Sequence, residues 1–186
     1  ILEELDNSGV ANNDLFESER QITHNHYEES FRNLFTSLRF LSSDHPLKAI
    51  AITSTLLGEG KSLVNVLLAK TLSEMGQRVL LIDADLRKPQ IHSRLGLHNL
   101  NGLTNLLAND SQSWQNLMQQ VPGHNDWYVI TSGSRSPDPA RLLSSKRMKN
   151  FVREISDSGE FDLILFDTPP VLGFADTALV AEHCDG

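Results

Sequence analysis

Short apolar segments alternate with longer segments of helical periodicity through most of this chain. Buried strands are predicted at residues 49–53, 79–82, 127–131 and 163–166. Helices are predicted from about residue 61 to 75, near 103–107 and at 139–155, and an amphipathic helix at 27–41 precedes the first strand. Strands that alternate with helices in this way predict an α/β fold, with a mostly parallel β-sheet flanked by helices on both faces. A ligand should then bind at the carboxyl ends of the strands.

The first 26 residues are polar and show no sustained apolar period, so we predict an arm or linker at 1–26 and one folded domain at 27–186. The chain begins without Met, and it stops shortly after an apolar helical pattern. We therefore expect a piece of a longer protein, truncated at its C-terminal end.

Composition excludes several classes of partner. A formal net charge of -8 argues against binding to DNA or RNA, because phosphate backbones are held by clustered Lys and Arg. No apolar stretch approaches the roughly 18–20 residues that span a bilayer, so we expect this fragment to be soluble. The single cysteine, Cys184, cannot form an internal disulfide, which is consistent with a reducing cytoplasm.

The strongest chemical signal is the segment from Ser54 to Ser62, which joins a predicted strand to a predicted helix. Gly58 and Gly60 allow a tight turn with inward N–H groups, and the helix that follows adds its positive end to the same place. Lys61 can then reach the β- and γ-phosphates of ATP, and the Ser62 hydroxyl can bind the Mg²⁺ that bridges them. This pattern predicts a P-loop NTPase.

One position departs from the usual P-loop pattern. Thr55 stands where the first glycine is expected, so a strict motif search fails by one residue. The alternative interpretation is a glycine-containing turn that only starts a helix. The order Gly-Glu-Gly-Lys-Ser at a strand-to-helix junction favours the phosphate-binding interpretation.

Two other predicted strands end in carboxylates. Asp83 and Asp85 follow one apolar strand, and Asp167 follows another in the form of a Walker B strand. Carboxylates buried at strand ends need a compensating cation, which a Mg·ATP complex supplies. For Asp85 alone, a structural role as the cap of the next helix remains an alternative.

Together, the P-loop, the segment Asp83-Ala84-Asp85-Leu86-Arg87 and the segment Asp167-Thr168-Pro169-Pro170 resemble the kinase domain of the bacterial tyrosine kinases. In that family the P-loop lacks its first glycine, which would explain Thr55. The resemblance implies that Lys61 and Ser62 bind phosphates and Mg²⁺, and that Asp83 approaches the metal and accepts the proton of a tyrosine hydroxyl. Asp85 and Asp167 would complete the acidic site, with Ser62, Asp83 and Asp167 near the metal. The expected nucleotide-binding set is Thr55, Gly58, Glu59, Gly60, Lys61, Ser62 and Arg87.

The resemblance also implies a biological setting. The family consists of autokinases that act on neighbouring copies, bind ATP and release ADP, and regulate synthesis and export of surface polysaccharide. A transmembrane activator region, in the same chain or in a partner, would place the domain at the cytoplasmic face of the plasma membrane.

Three departures from the family limit these expectations. Leu57 replaces a proline that commonly precedes Gly-Glu-Gly. Phe35 stands where the helix involved in ring assembly usually has a second arginine, after Glu29 and Arg32, so the ring-forming motif is incomplete here. The chain has only two tyrosines and lacks the family's tyrosine-rich tail.

Two alternatives remain open on the sequence alone. A ParA- or MinD-like ATPase would use the same fold as a switch without a tyrosine substrate, but its P-loop usually carries an extra lysine that the stretch 54–57 lacks. A degenerate nucleotide-binding regulator is the other alternative, against which the intact Lys61, Asp83, Asp85 and Asp167 argue.

Overall fold

The computed structural model describes residues 27–40, 47–109 and 111–186. These residues fall into two units, which divide between residues 41 and 42. The first unit contains helix α1 (27–40), which confirms the amphipathic helix predicted there. The predicted arm at 1–26 lies outside the described residues, and the predicted domain boundary stays a prediction.

The second unit is built on a five-stranded sheet with the order β1-β5-β2-β4-β3. The strands are β1 (Ala49–Ile52), β2 (Val79–Asp83), β3 (Gln119–Gln120), β4 (Trp127–Ile130) and β5 (Leu163–Asp167). The pairs β1–β5, β5–β2 and β2–β4 are parallel, as predicted. The two-residue β3, which sequence patterning did not predict, pairs antiparallel with β4 at the edge.

The helices of this unit are α2 (Lys61–Glu74), α3 (Ile91–Leu95), α4 (Leu103–Ala108), α5 (Pro139–Leu143), α6 (Lys146–Asp157) and α7 (Asp176–Ala181), with a 3-10 turn at Gln115–Leu117. The single helix predicted at 139–155 is wrong, because the segment forms α5 and α6. Asp138 caps α5 by accepting from the N–H of Arg141, and Ser145 caps α6 by accepting from the N–H of Met148. The Ser145 cap lies inside a segment of continuous helical periodicity, and a second helix therefore begins there.

Both faces of the sheet are buried. On β2, Leu80 and Ile82 belong to a cluster that includes Met148 and Phe151 of α6. The alternate residues Val79 and Leu81 are equally buried, and α2 packs against β2 and β5. This explains why the strand is apolar throughout instead of alternating between apolar and polar residues.

An ion pair fixes the amino ends of β2 and β5. The Arg78 guanidinium donates to both carboxylate oxygens of Asp162, at 2.7 and 3.2 Å, and the Arg78 N–H donates to the same carboxylate at 2.8 Å. Hydrogen bonds from Arg78 lower the pKa of Asp162, and the same pairing raises the pKa of Arg78. Each partner at this partly exposed end therefore stabilises the charge of the other.

Within the described residues, no helix combines the length and the apolarity that crossing a bilayer requires.

Candidate functional site

The loop between β1 and α2 has the backbone that a phosphate cradle requires. Gly58 and Gly60 have φ angles of 85° and 87°, in the left-handed region that favours glycine. Gly60 directly precedes the first turn of α2, so the positive end of that helix faces the loop. The predicted connection of strand, glycine turn and helix is therefore present.

Glu59 shapes the start of the same loop. Its carboxylate oxygen Oε2 accepts hydrogen bonds from the backbone N–H of Thr55 at 2.8 Å and of Leu56 at 2.9 Å. The Glu59 side chain thus bonds to the loop itself, and Thr55 is held without the glycine that the usual motif has.

Lys61 and Ser62 contact two of the predicted carboxylates. The Lys61 ammonium lies 2.8 Å from Asp85 Oδ2 and 3.6 Å from Asp167 Oδ1. The Ser62 hydroxyl donates to Asp167 Oδ2 at 2.6 Å. Charge-assisted hydrogen bonds of this length are among the stronger ones in proteins. The structure therefore brings together groups from three separate chain segments.

Asp83 lies beside this cluster in an unfavourable environment. It is fully buried and stands opposite Asp167 in the register of β2 and β5. Its Oδ2 accepts from the N–H of Ile91 at 3.1 Å, whereas its Oδ1 has no hydrogen-bond partner within the described part of the chain. Burial, and secondarily the charge of Asp167, raise the pKa of Asp83 to about 8. Burial also raises the pKa of Asp167, although Lys61 and Ser62 oppose that shift.

These groups fit a magnesium ion of the kind that binds with nucleotides. In the described part of the chain, no three His, Cys, Asp or Glu side chains form a protein-only metal cage. Mg²⁺ seldom needs one, because it keeps several waters and usually takes one or two carboxylates together with phosphate oxygens. The Ser62 hydroxyl, the Asp167 carboxylate and the unpartnered Oδ1 of Asp83 provide oxygen ligands of this type.

The structure places Arg87 differently from the other predicted residues. Its guanidinium donates to both oxygens of the buried Asp176 at 2.8 and 3.0 Å, and it lies over the Phe174 ring at 4.5 Å. The pair raises the pKa of Arg87. Arg87 thereby links the segment after β2 to the start of α7, and its charge is balanced there.

Sequence analysis missed three residues of this region. The Asn65 amide, fully buried on α2, donates to Asp167 Oδ1 at 3.0 Å. Its position three residues after Ser62, on the same helix face, is the signal that could have indicated it. Lys88 and Arg94 line a cleft of ≈ 220 Å³ together with the P-loop, but nothing in their spacing predicts this.

The glycine loop at the first strand of a parallel sheet, with lysine, serine and carboxylates at its mouth, defines the P-loop NTPase class. A family model described as AAA domain matches residues 47–183. The chain is 42% identical over 158 residues to tyrosine-protein kinase YwqD of Bacillus subtilis, covering 85% of this chain and 65% of that relative. The kinase domain of the Escherichia coli tyrosine kinase ETK superposes with a TM-score of 0.78 at 33% identity, covering 84% of this chain and 60% of that one.

The chain belongs to the AAA domain family, and it is similar to bacterial tyrosine kinases in sequence and in fold. The resemblance inferred from the three motifs is thus confirmed. MinD of Pyrococcus horikoshii, in complex with Mg-ADP, also matches with a TM-score of 0.62 at 23% identity, covering 74% of this chain and 55% of that one. Identity that low supports the shared fold alone. The chain spans less than the full length of these relatives, 65% in the case of YwqD.

Proposed function

We propose that this domain is an ATP-dependent protein tyrosine kinase that transfers the γ-phosphoryl group of ATP to tyrosine hydroxyls. The observation that carries the proposal is the contact of Lys61 and Ser62 with Asp85 and Asp167, beside Asp83, whose Oδ1 has no hydrogen-bond partner among the described residues. The names of the relatives, which are tyrosine-protein kinases, support the choice of substrate.

In this proposal, the P-loop binds the phosphates. The backbone N–H groups around Gly58 and Gly60 donate to phosphate oxygens, and Lys61 exchanges part of its contact with Asp85 and Asp167 for phosphate oxygens. Glu59 and Thr55 contribute by shaping the loop. Arg87, balanced by Asp176, contributes by holding the segment that carries Asp83 and Asp85.

Ser62, Asp167 and Asp83 would hold Mg²⁺, which neutralises developing charge on the phosphates. In transfer, the bond from the γ-phosphorus to the β,γ-bridging oxygen breaks, a bond to the phenolic oxygen forms, and ADP leaves. The phenolic proton passes to the ionised Asp83 carboxylate, whose raised pKa makes it a stronger base than an exposed aspartate. Asp85 keeps Lys61 in position.

The wider setting is also a proposal, carried by family resemblance. The domain would act at the cytoplasmic face of the plasma membrane, under a transmembrane activator region in its own or a partner chain. Its output would be control of surface polysaccharide synthesis and export, and its substrates would include other copies of itself.

The proposal is tested by incubating the chain with Mg·ATP and measuring phosphotyrosine by mass spectrometry. A synthetic copolymer of glutamate and tyrosine is included as an external acceptor. We expect phosphotyrosine with the parent chain and none with Lys61→Met, while Lys70→Met, on the outer part of the same helix, behaves like the parent. ATP hydrolysis without phosphotyrosine on either acceptor would overturn the kinase assignment and favour the MinD-like ATPase.

A further inference from the structure

A second cleft, of ≈ 360 Å³, lies at the carboxyl edge of the sheet on the other side of the segment that follows β2. Its walls come from residues 86–92 and from residues 132–135, which follow the neighbouring strand β4. Lys88 and Gln90 line both this cleft and the P-loop cleft. A side chain anchored in the second cleft would therefore reach the region where the terminal phosphate of ATP is expected.

The second cleft is cationic. Lys88 and Arg135 line it, and neither has an ion-pair partner among the described residues. The charge of Arg87, in the same wall, is matched by Asp176. The described residues contribute no carboxylate to the lining, although the chain as a whole carries 24 acidic and 16 basic residues. This local excess of positive charge fits an anionic segment.

The chain itself contains a tyrosine next to acidic residues. Tyr27 is followed directly by Glu28 and Glu29 at the start of α1, and its side chain is 58% exposed. The other tyrosine, Tyr128, lies in β4, where its ring packs against Phe161 with centroids 6.1 Å apart. Of the two tyrosines, Tyr27 is therefore the more exposed, since Tyr128 is half-buried within a strand of the sheet.

We propose that Tyr27 is a phosphoryl acceptor, and that the Tyr27-Glu28-Glu29 segment of one copy docks in the cationic cleft of a second copy. This inference rests on the proposed kinase function. The glutamates contact Lys88 and Arg135, and the Tyr27 hydroxyl lies near the γ-phosphate. The phenolic oxygen gains the phosphoryl group and loses its proton, and ADP is released.

The test measures phosphate on Tyr27 in the full chain with Mg·ATP, by quantitative mass spectrometry. We expect Arg135→Ala to lower the rate roughly tenfold, because a charged contact is lost, without changing the affinity for Mg·ATP. Arg153→Ala, which removes an exposed arginine from α6, serves as the matched control and should behave like the parent. Equal rates in Arg135→Ala and the parent would overturn the docking site.

Reversing the charges of the docking segment and of the cleft gives a second test, which compares the rates of Tyr27 phosphorylation in several variants. Glu29→Lys should slow labelling of Tyr27, and combining it with Arg135→Glu should restore part of the rate. Transfer between copies is tested by mixing Arg135→Ala, which keeps Tyr27, with Tyr27→Phe, which keeps the cleft. The Tyr27→Phe copies should restore labelling of Tyr27 on the Arg135→Ala copies.

The copolymer acceptor separates the two proposals. If the parent chain phosphorylates the copolymer but never Tyr27, the kinase function stands and this inference is wrong. Phosphate on Tyr128 in place of Tyr27 would likewise support the kinase function and show that this inference is wrong. If neither acceptor gains phosphotyrosine, both proposals fail together.

Discussion

The paired strands β2 and β5 carry different charged groups at their amino ends and at their carboxyl ends. At the amino edge, Arg78 and Asp162 are joined by direct hydrogen bonds, and each stabilises the charge of the other. At the carboxyl edge of the same two strands, two carboxyl groups, Asp83 and Asp167, stand opposite each other in a buried position. Only four residues of β2, 79–82, separate Arg78, which is paired with Asp162, from Asp83, whose Oδ1 has no hydrogen-bond partner among the described residues.

This difference indicates which end was shaped for stability and which for chemistry. A buried carboxylate without a full set of partners costs free energy of folding, and proteins keep such groups mainly where a ligand compensates them. The Arg78–Asp162 pair needs no ligand. Asp167 already has Lys61, Ser62 and Asn65 as partners, and Asp83 accepts from the Ile91 N–H through one oxygen, so a bound cation would complete the compensation of this pair.

The sharpest test of this comparison uses one substitution at each end of β5. Asp167→Asn removes the carboxylate that accepts from Ser62 and Asn65, so affinity for Mg·ADP should fall by about tenfold or more, equivalent to roughly 1.4 kcal/mol per factor of ten. Calorimetric titration of Mg·ADP, and of ADP with EDTA, measures the effect and its dependence on Mg²⁺.

Asp162→Asn is the matched control, since it makes the same chemical change on the same strand. It should leave both nucleotide affinities unchanged. If the two variants weakened Mg·ADP binding equally, the carboxyl edge would have no special role.

The second test uses pH. The folded state binds a proton on Asp83 more tightly than the unfolded state, because the pKa rises from 3.8 to about 8. In the metal-free protein, the contribution of Asp83 to stability should therefore fall as pH rises from about 4 towards 8. Asp162 has a lowered pKa, so its contribution is present above its unfolded pKa and is lost as pH falls through the folded value.

The free energy of unfolding is measured by urea in EDTA across this pH range for the parent, Asp83→Asn and Asp162→Asn. The difference between the parent and each variant gives the contribution of that aspartate. The stability of the parent relative to Asp83→Asn should decline with rising pH. A parent whose relative stability increased with pH would show that Asp83 is stabilised as a carboxylate, contrary to the comparison.

The smallest effect is expected from Arg78→Ala. The pair with Asp162 is partly exposed and screened by solvent, so its loss should lower the melting temperature only slightly. Mg·ADP affinity should stay at the parent value. A large loss of nucleotide binding in this variant would indicate that the two edges are coupled through the strands.

The sequence predicted the parallel strands well, because β2 and β5 are apolar at every position before their terminal aspartates and are bounded by turn residues. It failed where local order depends on caps or on short edge pairing. Ser145 starts α6 inside one apolar period, and the two residues of β3 pair only because β4 is already in place. Neither feature has a periodic signal of its own.

In the candidate site, too, local motifs could be predicted from the sequence and contacts between distant segments could not. The P-loop and the strand-end carboxylates are local motifs, so Lys61, Asp83 and Asp167 could be named in advance. Which side chains contact one another depends on strand order, which brings β5 between β1 and β2. Two contacts depend on tertiary structure in this way. Arg87 pairs with Asp176, which is 89 positions away, and Asn65 donates to Asp167.

The bonds from Glu59 to the N–H groups of Thr55 and Leu56 also bear on the kinetics of nucleotide capture. Because these bonds form within the loop, its first residues lose their conformational freedom during folding and not during binding. A nucleotide then meets a preformed surface. Association should consequently be limited by diffusion and orientation, and differences in affinity among nucleotides should lie mainly in their dissociation rates.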